Sequence, residues 1–306
     1  MIPEPKTQGR APFREWETWY RISGDVNSHR TPLVVLHGGP GCTSDYVLPI
    51  AALSANGRPV IHYDQLGAGR STHLRDKGPE FWTVDLFLEE LDNLLTALGI
   101  KDRYFLLGQS WGGMLGAEHA IRRPEGLKAL VLSNALPSAA LWSSEANRLR
   151  GEMPREIEDA LLRHEAAGTM DDPEYKAASQ AFYDKHVCRV VPIPPEYLRT
   201  IEYLNEDSTV YSAMWGPSEF FCNGSLGSWS VVDQLHLIIA PTLIASGRFD
   251  EATPAVNQPF FDNIADVRWE IFEESSHMPF FEEPDRYLAV VDAFLSDHDE
   301  SAPEKP

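Results

Sequence analysis

The sequence predicts an α/β protein with a mostly parallel central sheet, helices on both faces of the sheet and an inserted helical lid. Short apolar segments typical of buried strands alternate with segments of helical periodicity. This alternation stops after Leu136, and residues 137–232 are rich in helix formers, aromatic residues and proline. We therefore expect residues 1–136 and 233–298 to form the core, 137–232 the lid, and 299–306 a disordered polar tail.

The expected elements follow one another in a regular order. Strands are predicted at residues 14–22, 33–36, 59–65, 103–107, 127–134, 240–247 and 267–273. Helices are predicted at 83–98, 254–264 and 284–297, and a further helix after residue 113 should end before Pro124. Thr83 is the expected N-cap and Gly99 the expected C-cap of the first helix. Active sites of open α/β sheets lie at the carboxyl ends of the strands, so the loops after these strands should carry the functional residues.

The charge balance excludes two classes of partner. Asp and Glu number 46 against 26 Lys and Arg, for a formal net charge of -20. Such a surface repels nucleic acids and anionic membranes, and we expect neither as a partner. We interpret the acidity as a solubility feature, with attraction of cationic substrates such as free amines as the alternative.

The cysteines and the N-terminus indicate a cellular compartment. Cys42, Cys188 and Cys222 form no C-x-x-C pair, so neither a zinc site nor a redox dithiol is expected. The N-terminal residues lack the apolar core of a signal peptide, and no apolar segment reaches the roughly 20 residues that a membrane span needs. We expect a cytoplasmic protein, either a monomer or a homo-oligomer.

A candidate nucleophile lies between a strand and a helix. Residues 108–112 read G-Q-S-W-G and fit the G-x-S-x-G motif, in which small residues relieve crowding at a sharp turn. Ser110 would then be held at the top of the sheet, at a helix N-terminus that favours developing negative charge. An apolar strand before the motif and a helix after it are the context that the motif requires. The sequence therefore predicts the α/β-hydrolase fold with Ser110 as nucleophile.

A glycine-rich loop after the second predicted strand is the candidate oxyanion hole. Residues 37–41 read H-G-G-P-G, and glycines let backbone N–H groups approach a substrate. We expect the oxyanion donors to be the N–H groups of Gly39 and of Trp111, the residue after the nucleophile. Gly38 is expected to border the bound substrate. His37 lies inside the loop and is interpreted as a structural hydrogen-bonding residue.

The acid and the base are expected after Ser110, in that order. Asp250 lies in the loop after the strand at 240–247, and His277 follows the last strand. Asp250 would hold His277 in the correct tautomer, and His277 would take the proton of Ser110 and return it to the leaving group. Weaker candidates are His164, His186, His236, His298, Asp262 and Asp266. Glu273 and Glu274 are interpreted as a solvated turn.

Six motifs together carry a resemblance to a known family. They are HGGPG at 37–41, YDQLGAGRS at 63–71, GQSWGG at 108–113, WGPSEF at 215–220, FDEATP at 249–254 and SSHMPFFEEP at 275–284. With them, the chain from about residue 15 to 297 resembles the proline iminopeptidases, a group of serine aminopeptidases that includes the tricorn-interacting factor and the related L-amino-acid amidases.

The resemblance implies an activity and a substrate site. The family removes one residue from a peptide N-terminus or cleaves amino-acid amides, without a metal or an organic cofactor. Its members recognise the free α-amino group with acidic side chains, and the matching positions here are Glu219 and Glu251. Leu66 replaces a frequent Arg and Trp111 a frequent Tyr, which leaves the preference for proline open. Trp215 is expected to line the acyl pocket with other aromatic residues, or else to be part of the lid core.

Several functions remain open at this point. The leading hypothesis is a peptidase or amidase acting on short substrates with free amino termini. An esterase or lactonase acting on a small metabolite would use the same triad. An epoxide hydrolase or dehalogenase would normally carry Asp where this chain has Ser110. A binding module without activity conflicts with the complete set of Ser, His and Asp.

Overall fold

The computed structural model describes residues 2–299 and confirms the predicted α/β fold class. Within this range the strands are β1 (Thr7–Phe13), β2 (Trp16–Ser23), β3 (Leu33–Leu36), β4 (Val60–Tyr63), β5 (Tyr104–Gln109), β6 (Leu127–Ser133), β7 (Thr242–Gly247) and β8 (Val267–Phe272). They form one sheet in the order β1-β2-β4-β3-β5-β6-β7-β8. The pairs β1–β2 and β2–β4 are antiparallel, and the other pairs are parallel. The sheet is therefore mostly parallel, with an antiparallel edge.

The first strand was not predicted. Residues 7–13 read TQGRAPF, which contains a glycine and a proline and has a hydrophobic face only at Ala11 and Phe13. Pairing with β2 compensates for this weak pattern, because the whole of β1 runs antiparallel to β2 from Thr7 opposite Ile22 to Phe13 opposite Trp16. Tertiary pairing thus overrides local propensity at this sheet edge.

Helices cover both faces of the sheet. Those of the core are α1 (Val84–Ala97), α2 (Trp111–Ile121), α8 (Pro254–Asn263), α9 (Pro279–Glu282) and α10 (Pro284–Asp297). Thr83 caps α1 as predicted, since its hydroxyl accepts the N–H of Leu86, and Gly99 adopts a positive φ of 66° just beyond the helix. The single-turn α9, directly after the loop of His277, was not predicted.

Alternate residues of the central strands pack into two separate hydrophobic cores, one on each face of the sheet. Val34 and Leu106 pack with α1 and α2 on one face, whereas Val35 and Leu107 pack with α10 on the other. Every residue of β3 and β5 is buried, which is the continuous apolar pattern expected of a parallel strand between two helical layers. The two cores hold the carboxyl ends of β5, β6 and β7 at a common edge.

Five helices lie between β6 and β7. They are α3 (Ala139–Arg150), α4 (Arg155–Ala167), α5 (Pro173–His186), α6 (Pro195–Glu206) and α7 (Thr209–Met214). These helices fall within residues 137–232, the segment for which we expect a lid. None of the helices within residues 2–299 is long and apolar enough to cross a lipid bilayer.

The expected disordered tail is wrong at its first residue. The carboxylate of Asp299 accepts hydrogen bonds from the buried Arg58 at 2.8 Å and from the backbone N–H of Thr31 at 3.0 Å. A buried guanidinium without a partner is costly in free energy. The ion pair with Arg58 therefore favours an ordered position for Asp299. Residues 300–306 lie outside the described residues.

Candidate active site

Ser110 occupies a strained turn between β5 and α2. Its backbone has a φ of 54° and a ψ of -121°, a conformation that is rare for a residue with a side chain. The neighbouring glycines make the turn possible: a Cβ on Gly108 would lie 2.1 Å from the carbonyl oxygen of Gly112, and a Cβ on Gly112 would lie 2.1 Å from that of Leu36. The turn places Ser110 at the N-terminus of α2, as the motif predicts.

Asp250 and His277 form a buried pair at the ends of β7 and β8. Nδ1 of His277 lies 2.7 Å from Oδ1 of Asp250, and both side chains are buried. Burial lowers the pKa of His277, but the charge and the hydrogen bond of Asp250, together with the charges of Glu219 and Glu282, outweigh it, so the net effect is a raised pKa. This arrangement suits a base whose protonated form is stabilised by a neighbouring carboxylate.

Both oxygens of Asp250 are held by further donors. Oδ1 accepts the backbone N–H of Ala252 at 2.9 Å, and Oδ2 accepts the side-chain amide of Asn134 at 2.7 Å. Asn134 follows β6 directly and has a φ of 51°, which turns its side chain toward Asp250. Sequence reasoning missed Asn134, although its position at a strand end was a usable signal.

A small cavity brings together residues from five of the six predicted motifs. It is lined by Gly39, Ser110, Glu219, Glu251 and His277, together with Cys42, Tyr46, Gln109, Val187, Tyr197, Thr200 and Met278. A larger cavity of about 550 Å³ within the lid shares Cys42, Val187, Tyr197, Thr200 and Glu219 with it. The two cavities therefore meet at Glu219.

Glu251 is a buried carboxylate that has no hydrogen-bond partner within residues 2–299. It is fully buried, and neither carboxylate oxygen has a hydrogen-bond partner among the described residues. Burial raises its pKa well above the ordinary value, and the charges of Glu219 and Asp250 add to that rise. A buried, unpaired carboxylate is costly and is usually found where a charged ligand completes the site.

Glu219 enters the same cavity from the lid. Its Oε1 accepts the hydroxyl of Tyr211 at 2.6 Å. Burial raises the pKa of Glu219, and the Tyr211 hydrogen bond offsets part of the rise. Two carboxylates, one from the core and one from the lid, thus face the space beside Ser110.

Gly38 and Trp215 are not among the described residues that line the two cavities, although Gly38 lies beside the nucleophile, since a Cβ on Gly38 would be 3.0 Å from the Cβ of Ser110. The N–H of Gly38 donates to the hydroxyl of Tyr46 at 2.6 Å, so this group is not directed at a substrate. Trp215 is buried in the lid core and packs edge-to-face on Trp142, at 5.6 Å between ring centroids. Trp142 in turn packs edge-to-face on His277, with 5.8 Å between ring centroids. Trp215 therefore supports His277 indirectly, through the ring of Trp142. The burial of Trp215 favours the alternative, in which this residue is part of the lid core.

Tyr46 and Gln109 connect the glycine-rich loop with His277. The Tyr46 hydroxyl, which accepts the N–H of Gly38, donates to Oε1 of Gln109. The amide of Gln109 donates to the carbonyl oxygen of His277 at 3.2 Å. His37 has the structural role expected of it: Nδ1 bonds the Gly38 carbonyl, and burial is the main cause of its lowered pKa. Tyr46 was not identified from the sequence, because nothing near it forms a motif.

A mostly parallel sheet with the serine turn after β5 and the acid and histidine loops after β7 and β8 defines the class of α/β hydrolases. The family model described as "alpha/beta hydrolase fold" matches residues 31–284. The proline iminopeptidases of Clostridium botulinum and Lactobacillus helveticus are each 39% identical to the chain over 295 residues, which is 96% of this chain and 99% of theirs.

Solved structures agree with these relatives. The crystal structure of VinJ is 52% identical, with a TM-score of 0.95 over 96% of this chain and 100% of that one. The proline iminopeptidase of Mycobacterium smegmatis is 49% identical, with a TM-score of 0.90 over 96% of this chain and 99% of its own. The chain belongs to the α/β-hydrolase family and, within it, to the proline iminopeptidase family, and it is a hydrolase.

Proposed function

We propose that this hydrolase removes a single residue, proline among the candidates, from the free N-terminus of short peptides, or hydrolyses amino-acid amides. The observation that carries the proposal is the buried, unpartnered carboxylate of Glu251 in the cavity of Ser110 and His277. A substrate ammonium between Glu251 and Glu219 would form charge-assisted hydrogen bonds. The names of the relatives that match nearly the whole chain support the same substrate class.

The proposed reaction is acyl transfer through Ser110. Its hydroxyl attacks the carbonyl carbon next to the bound ammonium while Nε2 of His277 takes the proton, and Asp250 stabilises the resulting imidazolium through Nδ1. The N–H groups of Gly39 and Trp111 stabilise the oxyanion. The imidazolium then protonates the leaving amine, and a water molecule activated by His277 hydrolyses the acyl-enzyme.

The change in protonation of the Glu251 carboxylate on substrate binding explains how the site selects its substrate. Without substrate the carboxylate is buried near Glu219 and Asp250, and these charges favour its neutral form. A bound ammonium reverses this preference, because an opposite charge within hydrogen-bond distance favours the ionised carboxylate. Peptides with a blocked N-terminus lack this charge and should bind poorly.

The two glutamates are tested by amide substitution. Glu251→Gln and Glu219→Gln should each raise the KM for L-prolyl and L-alanyl 4-nitroanilide about 10- to 100-fold, since a hydrogen bond to a charged group contributes about 1.5–3 kcal/mol. Glu273→Gln removes a carboxylate from a surface ion pair with Arg248 and serves as the matched control. If the cavity variants bind these substrates as the control does, the assignment of the amino-group site is wrong.

The nucleophile has its own test. Ser110→Ala should abolish turnover of both amides and aryl esters, because every proposed step passes through the Ser110 hydroxyl. Hydrolysis near the parent rate by a folded Ser110→Ala protein would refute the assignment. An aryl ester without an amino group, hydrolysed as efficiently as the aminoacyl substrates, would favour an esterase instead.

A further inference from the structure

Gln65 connects the two backbone segments that carry the proposed oxyanion donors. It lies in the loop after β4, between the glycine-rich loop and the start of α2. Its backbone N–H donates to Nε2 of His37 at 2.9 Å, and its side-chain amide donates to the His37 carbonyl oxygen at 3.0 Å. Its Oε1 accepts the indole N–H of Trp111 at 2.8 Å. All three residues are buried, so water does not compete for these bonds.

We propose that Gln65 is a positioning residue that sets the distance between the N–H groups of Gly39 and Trp111. The inference rests on the proposed function, because it presupposes an oxyanion at this place. Oxyanion donors work when they are held about 2.7–3.1 Å from the developing charge, so a small displacement of either segment weakens catalysis. One amide side chain that bonds both segments couples their positions.

The partners of Gln65 are themselves fixed. The Trp111 ring packs edge-to-face on Phe87 of α1, with 5.7 Å between centroids. The residue after Gln65, Leu66, donates its N–H to both oxygens of the Glu90 carboxylate at 2.9 and 3.1 Å. Gln65 is therefore held in place through the packed ring of Trp111 and through the backbone of Leu66. Its side chain can then fix the relative position of the two segments that it bonds.

The chemistry of the contacts requires an amide at position 65. The His37 carbonyl needs a donor, and the Trp111 indole needs an acceptor. Methionine fills a similar volume but supplies neither, and an ionised glutamate supplies only the acceptor. Gln65→Met should reduce kcat about 10- to 100-fold with little change in KM, because the contacts of Glu219 and Glu251 to the substrate ammonium remain.

A pair of inhibitors separates stabilisation of the oxyanion from binding of the ammonium. Ser110 Oγ adds to the aldehyde carbon of prolinal, its proton passes to His277, and the carbonyl oxygen becomes the oxyanion. Prolinol has the same ammonium but no carbonyl to attack. The ratio of the two inhibition constants, measured also with alaninal and alaninol, reports the addition step and its oxyanion contacts separately from the binding of the ammonium. We expect the parent enzyme to bind each aldehyde at least about 100-fold more tightly than its alcohol.

Gln65→Met should lower this ratio about 10-fold or more while the alcohols bind as before. Trp111→Phe removes the same hydrogen bond from the other side and should lower the ratio too, which keeps the test decisive if Gln65→Met fails to fold. Trp269→Phe is the matched control, because it removes an equally long indole bond, to Ser246, in the edge strand β8. The ratio should be unchanged in this control.

The outcomes separate the two proposals. If the parent enzyme prefers the aldehydes and the folded Gln65 and Trp111 variants keep the parent ratio, the positioning role is wrong and the proposed function stands. An equal loss for aldehyde and alcohol also overturns the role of Gln65, since it would indicate general disruption. If the parent enzyme shows no preference for the aldehydes, both proposals fail.

Discussion

Asn134 is the side chain on which the orientation of Asp250 depends most directly. Its amide bridges Oδ2 of Asp250 and the carbonyl oxygen of Ser276, at 2.7 and 3.1 Å, and so ties the acid loop to the loop of His277. Asn134→Gly should lower kcat about 10-fold and leave KM nearly unchanged, because Asp250 loses a fixed donor. Glycine adopts the positive φ of this position without strain, so backbone strain should not contribute to the change in kcat. Steady-state kinetics with L-prolyl 4-nitroanilide measure the effect, and an unchanged kcat would exclude the positioning role.

The protonation of His277 gives a second prediction about a single residue. Its pKa is raised above the ordinary 6.5 because the surrounding carboxylates, Asp250 foremost, outweigh the effect of burial. The imidazole should therefore titrate above 6.5 in an NMR titration of the free enzyme, and kcat/KM should rise with pH as the neutral base forms. Asp250→Asn removes the largest of the charges that oppose burial, so the pKa of His277 should fall below that of the parent enzyme. A midpoint that does not fall in this variant contradicts the pairing.

Helix α1 supports the site through one buried carboxylate. Glu90 accepts the N–H of Leu66 and the hydroxyl of Thr18, and burial raises its pKa to about 7. Because the folded state then binds a proton that the unfolded chain releases near 4.5, the free energy of unfolding falls as pH rises between these values. Glu90→Gln cannot ionise, so relative to the parent protein it should gain up to about 3 kcal/mol between pH 5 and pH 8.

Urea unfolding at the two pH values measures this gain. Glu89→Gln removes a neighbouring carboxylate from the exposed face of α1, where it pairs with Arg14, and is the matched control. The control should follow the pH dependence of the parent protein. If Glu90→Gln shows that same dependence, the buried carboxylate does not titrate as described.

Lid helix α6 is attached to the core by polar contacts close to the cavity. Thr200 bonds the hydroxyl of Thr43 at 2.8 Å, and Arg199 pairs with the buried Asp45 at 3.2 Å. Asp45 also pairs with Arg70, which binds Asp64 in the loop after β4. The wall of the cavity that α6 supplies is thereby fixed relative to the core.

At the scale of the whole molecule, the sequence predicts those structural features that depend on a local pattern of residues. Apolar strands and helical periodicity predict the parallel core. A glycine-containing motif predicts the position of Ser110, and chain order together with the ends of two late strands predicts Asp250 and His277. Strand β1 escapes prediction because its pairing with β2, and not its composition, makes it a strand. Gln65 lies within a recognised motif, yet its bonds to His37 and Trp111 join segments far apart in the chain, which one sequence cannot show.

Ser110 is proposed to attack an acyl carbon next to a free amine that Glu219 and Glu251 recognise. The most direct measurement compares kcat/KM for L-prolyl 4-nitroanilide and L-alanyl 4-nitroanilide with the values for their N-acetyl analogues. Acetylation should lower kcat/KM at least about 100-fold, since the acetylated substrates leave both carboxylates without a cation. Equal turnover of free and acetylated substrates would contradict recognition of the free amine by Glu219 and Glu251.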